Sequence, residues 1–164
     1  MRQRFDRQFA GQAGSKRAPD LGARGTRRPL VLVVDDNRDE RDMYANYLAA
    51  SGFRVETGAD GEQAVLLAHQ SHPAAIVMDL SMPHVDGCEA TRRLKRDPLT
   101  RDIAVIACTG RVADRAAERA LDAGVDAFVT KPCVPRDLLS VVRSVLSKLR
   151  TRTPGSLVRR SALS

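Results

Sequence analysis

Five short apolar runs, each followed by a segment with helical spacing, constrain this chain more than any other feature. They begin at Leu30, Phe53, Ala74, Ile103 and Val125. Leu30 to Val34 (LVLVV) and Ala74 to Met78 (AAIVM) are apolar at every position, which suits strands buried on both faces of a parallel sheet rather than alternating surface strands. Phe53 to Thr57, Ile103 to Cys108 and Val125 to Thr130 supply the other three strands. Between them the apolar residues recur at helical spacing: Met43, Tyr44, Tyr47 and Leu48 ahead of Gly52; Ala64, Val65, Leu67 and Ala68 between Gly61 and Ser71; and Ala113, Ala116, Ala117, Ala120 and Leu121 ahead of Gly124. A further helix runs from about Gly87 to Arg96, where Pro98 forbids continuation, and a last one from Pro135 through Leu138, Leu139, Val142, Val145, Leu146 and Leu149.

Strict alternation of strand and helix implies βα units, a parallel sheet and right-handed crossovers. The expected fold class is therefore α/β, a doubly wound five-stranded sheet of order 2-1-3-4-5, flavodoxin-like, flanked by five helices. Ligands of such sheets bind outside the C-terminal ends of the strands. Four of the five runs end there in a polar group: Asp35 with Asp36, then Asp79, Thr109 and Lys131. Taken singly each has an ordinary explanation, since strand-end Asp caps helices, Thr ends strands and Lys is common on surfaces. Their coincidence at one edge has none. Asn37 with Glu40 three residues on reads as a capping pair for the first helix, and Asp86-Gly87 as a turn and cap for the third.

Three converging carboxylates repel one another unless a cation is shared among them. Oxygen ligands on a shallow edge favour Mg²⁺, which keeps several waters and commonly meets a phosphate. Lys131 and Thr109 then offer a positive charge and a hydroxyl to phosphate oxygens, the equipment of phosphoryl transfer. With no Ser/His pair or glycine-rich phosphate loop nearby, the natural nucleophile is a carboxylate, and the product an aspartyl phosphate.

These residues resemble the receiver domain of two-component response regulators, over about Pro29 to Leu149. The motifs that carry the resemblance are Asp35-Asp36 after a buried strand, the run from Asp79 through Ser81, Met82 and Pro83 to Asp86-Gly87, Thr109-Gly110, and Lys131-Pro132. The resemblance implies that Asp79 accepts a phosphoryl group from a sensor histidine kinase or histidine phosphotransfer protein. It implies Mg²⁺ held directly by Asp36, Asp79 and the backbone carbonyl of Ser81, with Asp35 nearby through water, Lys131 paired to the phosphoryl group and a cis Lys131-Pro132 bond. Thr109 and Phe128 would act as the switch, altering a face made by the fourth helix, fifth strand and fifth helix. Phe128 stands where Tyr is frequent, Gly110 where Ala is more usual, and Ser81 and Arg111 occupy positions that tune water access to the acyl phosphate. Such a domain is not a turnover enzyme, although Mg²⁺-dependent self-phosphorylation and slow self-dephosphorylation are expected of it. Pairing of two copies is compatible with the resemblance and not decided by the residues.

Other classes fare worse. An aspartyl-phosphate hydrolase on a similar fold usually carries a second Asp two residues after the nucleophile, where this chain has Ser81. In a flavin carrier the Asp35-Asp36 pair would repel the flavin phosphate.

The formal net charge of +7 is unevenly spread. Residues 1–28 hold eight Lys/Arg and two Asp, residues 150–164 four Arg and no acid, and residues 29–149 fifteen Lys/Arg against eighteen Asp/Glu. The expected organisation is a disordered basic tail over 1–28, a folded, mildly acidic domain over 29–149, and a basic C-terminal tail over 150–164. Only 15 residues follow Leu149, which points to a stand-alone receiver with no output domain. The arginine-rich tails carry an alternative, a phosphorylation-independent contact with nucleic acid or another acidic partner. Cys88, Cys108 and Cys133 form no ligand-spaced cluster with His69, His72 or His84, and no segment has the length of a membrane span or a signal peptide. The expectation is a cytoplasmic protein with no membrane association.

Overall fold

The computed structural model describes residues 28–110 and 115–151, with the backbone alone at residues 115–117. Strand and helix alternate throughout: β1 (Leu30–Val34), α1 (Arg38–Ala50), β2 (Arg54–Gly58), α2 (Gly61–Ser71), β3 (Ala75–Asp79), α3 (Gly87–Arg96), β4 (Ala104–Thr109), α4 (Arg115–Ala123), β5 (Ala127–Thr130) and α5 (Pro135–Thr151). The strands form one parallel sheet in the order β2-β1-β3-β4-β5, as the alternation predicts. No helix among the described residues is long and apolar enough to cross a membrane. Of the expected tails over 1–28 and 150–164, residues 1–27 and 152–164 lie outside the described residues, as does the tuning position Arg111.

Because side chains alternate across a sheet, each central strand feeds two cores. Leu32, Val34, Ile76, Met78, Val105 and Ala107 point to the face covered by α2, α3 and α4. Val31, Val33, Ala75, Val77, Ile106 and Cys108 point to the face covered by α1 and α5. Fully buried β1, β3 and β4 explain why those runs are apolar at every position.

Several boundaries and faces differ from the sequence expectation, each for a local reason. Phe53 lies in the connection after α1, its amide bonded back to the Leu48 carbonyl at 3.2 Å, so β2 starts one residue later. Val125 and Asp126 precede β5: the Asp126 carboxylate accepts from the Val105 amide at 2.8 Å, so a side chain takes a place the strand's backbone would have filled. On α1 only Tyr44 and Leu48 are buried, whereas Met43 and Tyr47 are exposed, because the stripe facing the sheet is too narrow for all four. On α4 Leu121 is exposed and Ala120 and Ala123 face the core, so the contact is made by methyl groups.

Caps fall where the residues predict. Asn37 accepts from the Asp39 and Glu40 amides, Asp60 from Gln63, and Asp86 from Glu89. Gly52 and Gly124 close α1 and α4 with φ of +100° and +97°, a region that costs a side chain strain. Gly87 serves a different need. A Cβ there would lie 2.2 Å from the Asp79 carbonyl oxygen, so only glycine lets α3 begin directly against the end of β3. Gly61 does the same for α2, where a Cβ would meet the Val85 carbonyl at 2.5 Å.

Gly87→Ala is therefore expected to destabilise the protein by about 1 to 3 kcal/mol in equilibrium denaturation. Gly110→Ala, at a position with nothing among the described residues within 4 Å of the added methyl, should be neutral or stabilising by up to about 1 kcal/mol.

Candidate functional site: an acidic edge with one lysine

The sheet ladder carries the site residues past the strand ends. The Asp35 amide donates to the Gly58 carbonyl at 3.2 Å, the Leu80 amide to Cys108 at 3.1 Å and the Lys131 amide to Thr109 at 2.8 Å. Asp79 is in register with Cys108, and Thr109 with Thr130. Neighbouring strands are about 4.8 Å apart, so this register alone brings Asp35, Asp79, Thr109 and Lys131 to one edge.

At that edge carboxylate oxygens of Asp35, Asp36 and Asp79 all lie within 4.8 Å of one another. Asp35 and Asp79 are buried and Asp36 is exposed. Each buried acid has a backbone donor: the Asn37 amide at 2.8 Å from Asp35 Oδ1, and the Ser81 amide at 3.1 Å from Asp79 Oδ1. That amide is the contact the structure shows for Ser81. Lys131 Nζ reaches Asp35 Oδ2 at 2.7 Å and Asp79 Oδ2 at 3.5 Å. The Lys131-Pro132 bond is cis, as the resemblance implies. Thr109 is buried at the end of β4, and Phe128 is half-buried against the α2–α4 core.

Burial raises the Asp79 carboxyl above its ordinary range. The Ser81 amide and Lys131 pull it down, while the charges of Asp35 and Asp36 push it further up. Burial works against the Lys131 ammonium, yet its hydrogen bonds to Asp35 and Glu40 and the charge of Asp79 outweigh burial and hold it well above its ordinary value. The Cys108 thiol, behind Asp79 in the core, is pushed up to about 12 by burial and stays a neutral packing group. A carboxylate raised by burial, and further by its like-charged neighbours, is the setting a hard cation relieves, and an all-oxygen donor set fits Mg²⁺.

Three residues of α1 that sequence reasoning did not place at the site also reach it. Glu40 Oε2 lies 2.7 Å from Lys131 Nζ. Arg41 Nη1 donates to the Asp35 carbonyl at 2.7 Å, and the Tyr44 hydroxyl to the Cys133 carbonyl at 3.2 Å. Glu40 was legible as a capping partner, and its Oε1 does accept from Asn37 Nδ2 at 3.4 Å. Its second contact, across 91 residues, leaves no local signal. On the other flank Asp86 bonds Arg119 of α4 at 2.9 Å, and this partner together with the Glu89 amide outweighs burial and holds the Asp86 carboxyl below its ordinary range. A cleft of about 960 Å³ between the C-terminal end of α5 and the loops at the opposite edge of the sheet contains none of these residues. The candidate site is a shallow acidic rim.

Removing the Asp79 charge should stabilise the metal-free protein. A carboxyl whose folded value is raised destabilises the fold once ionised, a cost that begins as pH rises through the ordinary 3.8 and is complete above the raised value. Asp79→Asn is expected to raise Tm near neutral pH by on the order of 4 °C. Calorimetry should show the difference shrinking towards pH 3.8 and shrinking again when Mg²⁺ stabilises the native chain alone.

Comparison with known proteins agrees with this geometry. Residues 31–143 match the response regulator receiver domain model. The chain is 34% identical over 122 residues to the DNA-binding dual master transcriptional regulator RpaA of Synechocystis, covering 73% of this chain and 50% of that protein. It is 37% identical over 126 residues to a probable transcriptional regulator, ycf27, of Cyanophora paradoxa, covering 76% and 50%. It thus spans about half the length of these curated relatives. Among solved structures, the receiver domain of a sensor histidine kinase from Pseudomonas aeruginosa, with a magnesium ion coordinated in its active-site cleft, superposes with a TM-score of 0.69 at 30% identity, over 73% of this chain and 98% of that one. The Vibrio cholerae chemotaxis response regulator CheY4 gives 0.68 at 26% identity, over 72% and 98%. The chain belongs to the response regulator receiver domain family of two-component signal transduction.

Proposed function

We propose that this protein is a phosphoacceptor receiver that takes a phosphoryl group onto Asp79 from a sensor histidine kinase or histidine phosphotransfer protein. The observation that carries the reading is the buried Asp79 carboxylate at the sheet's C-terminal edge, within reach of two further carboxylates and one lysine. An Asp79 oxygen attacks phosphorus in line; the P–N bond to the donor imidazole breaks, and the ring leaves with the electron pair and is reprotonated. Lys131 neutralises charge on the transferred group, and Thr109 offers it a hydroxyl. Asp35, Asp36, Asp79 and the Ser81 carbonyl are the proposed ligands of Mg²⁺, which supplies charge neutralisation to the phosphoryl oxygens when bound. The domain works as a switch whose phosphorylation is reversible, and no second acid stands at Ser81 to make it a hydrolase.

The proposed receiver unit spans 29–149, and its output passes through the face of α4, β5 and α5. Two features support that face. Arg119 links α4 to Asp86 in the loop that follows Asp79. Phe128 and Ala127 line a cleft of about 480 Å³ with Ser140, Val141 and Ser144 of α5. A downstream partner seated there gains or loses contact as Thr109 and Phe128 move together.

Incubation with Mg²⁺ and acetyl phosphate is expected to give a phosphoryl adduct in intact-protein mass spectrometry. The adduct should be absent from Asp79→Asn and from samples treated with chelator; no adduct on the native chain, with acetyl phosphate or with histidine kinases, overturns the reading.

The charge segregation between 1–28, 29–149 and 150–164 supports a second, compatible role in which the basic ends contact nucleic acid. Affinity of the full chain for duplex DNA should then fall steeply with salt, since each neutralised phosphate releases counterions. Binding that is weak and flat from low to moderate salt sinks that role.

A further inference from the structure

We propose that Glu40 is a competing counter-ion for Lys131, holding the ammonium back from Asp79 until a phosphoryl group draws it away; the inference rests on the reading of Asp79 as the acceptor. The distances define the competition. Lys131 Nζ lies 2.7 Å from Glu40 Oε2 and 2.7 Å from Asp35 Oδ2, but 3.5 Å from Asp79 Oδ2. An ammonium has three donors in tetrahedral array, and two are engaged in short charge-assisted bonds with residues other than the acceptor. Lys131 is therefore directed towards α1 and Asp35, with Asp79 the more distant of its three partners.

The three partners differ in what it costs to lose them. Asp35 is 3% exposed at its side chain and would be left as a buried charge without its cation, which is strongly unfavourable. Glu40 is 37% exposed, and water can replace the ammonium there. Its other oxygen stays on Asn37, so the side chain has a resting place when Lys131 leaves. A phosphoryl group on Asp79 adds negative charge on the far side of Lys131. The contact that yields is the one to Glu40, while the one to Asp35 is kept.

An acid in the first turn of a helix also has a plain role, since it favours the positive end of the helix dipole. That role predicts a small stability loss on neutralisation and no change in ligand binding. The counter-ion role predicts two shifts of opposite sign. Glu40→Gln leaves the positive charge of Lys131 less compensated beside the three aspartates, so Mg²⁺ binds more weakly. The same change frees Lys131 from its competitor, so a phosphoryl mimic binds more tightly.

The test uses the full chain with Mg²⁺ alone and then, at saturating Mg²⁺, with beryllofluoride, both followed by titration calorimetry. In Glu40→Gln the Mg²⁺ Kd should rise, and the beryllofluoride Kd fall, by roughly two- to fivefold each, the range of a partly exposed ion pair. Glu40→Asp should lie nearer the native protein because it keeps the charge. Glu62→Gln, which removes an acid paired with Arg93 on α3, should leave both constants unchanged and so control for net charge. Unchanged constants in Glu40→Gln, or a shift of both in the same direction, overturn the inference while leaving Asp79 as the acceptor. A native chain that binds neither Mg²⁺ nor beryllofluoride overturns both.

Discussion

Three carboxylates meet at the end of a parallel sheet with one ammonium among them, and much of the surrounding structure holds that imbalance in place. Asp35 and Asp79 are buried, so water cannot screen them; their support comes from Lys131 and from the backbone. The Asn37 amide takes one oxygen of Asp35 and the Ser81 amide one oxygen of Asp79. Each amide lies two residues after its acid, so the turn that follows the strand is also the acid's hydrogen-bond donor. Such bonds favour the charged form, whereas burial and mutual repulsion disfavour it. The net effect on Asp79 is upward, which leaves a site less stable empty than filled. A cation or a neutralised acceptor relieves it, and this links occupancy of the edge to the stability of the whole domain.

The loop after Asp79 carries that link outward. It is pinned at three points. Gly87 abuts the Asp79 carbonyl, Gly61 of α2 abuts Val85, and Asp86 both caps α3 and pairs with Arg119 of α4. The Gly87 contact is between backbones, and Gly61 meets the carbonyl and the stiff β-branched side chain of Val85, so neither has a long flexible side chain to absorb a shift. Movement at the Asp79 end of β3 would accordingly be passed on to the N-termini of α2 and α3, and through Asp86 to α4.

The strand tips were legible because their signal is local. A run apolar at every position that ends in Asp or Lys announces a buried parallel strand and a polar tip, and topology then assembles tips that are far apart in sequence. The caps at Asn37 and Asp86 and the stops at Gly52 and Gly124 were legible for the same reason. Helix faces were less so: helical spacing offered Met43, Tyr47 and Leu121 to the core, but how wide a stripe is buried depends on what packs above it. Glu40 was half legible. Its spacing from Asn37 states a cap, but its pairing with Lys131 depends on the lysine side chain reaching from the end of β5 back to the first turn of α1, a matter of packing rather than pattern.

The helices are not held equally, and this bears on where a signal leaves the domain. α5 buries Leu138, Leu139, Val142 and Val145, and shifting it would expose large apolar side chains at about 25 cal/mol for each Å². Among the described side chains of α4 the buried ones are Ala120 and Ala123, which offer a methyl each. A polar tie is the Arg119–Asp86 pair, with side chains 56% and 33% exposed, a contact that solvent and salt weaken. A switch that redistributes only a few kcal/mol between two states acts through the element that is cheapest to move. In the proposed switch that element is α4, tied through Asp86 to the loop after Asp79, packed on methyl groups, and with Leu121 already turned to solvent.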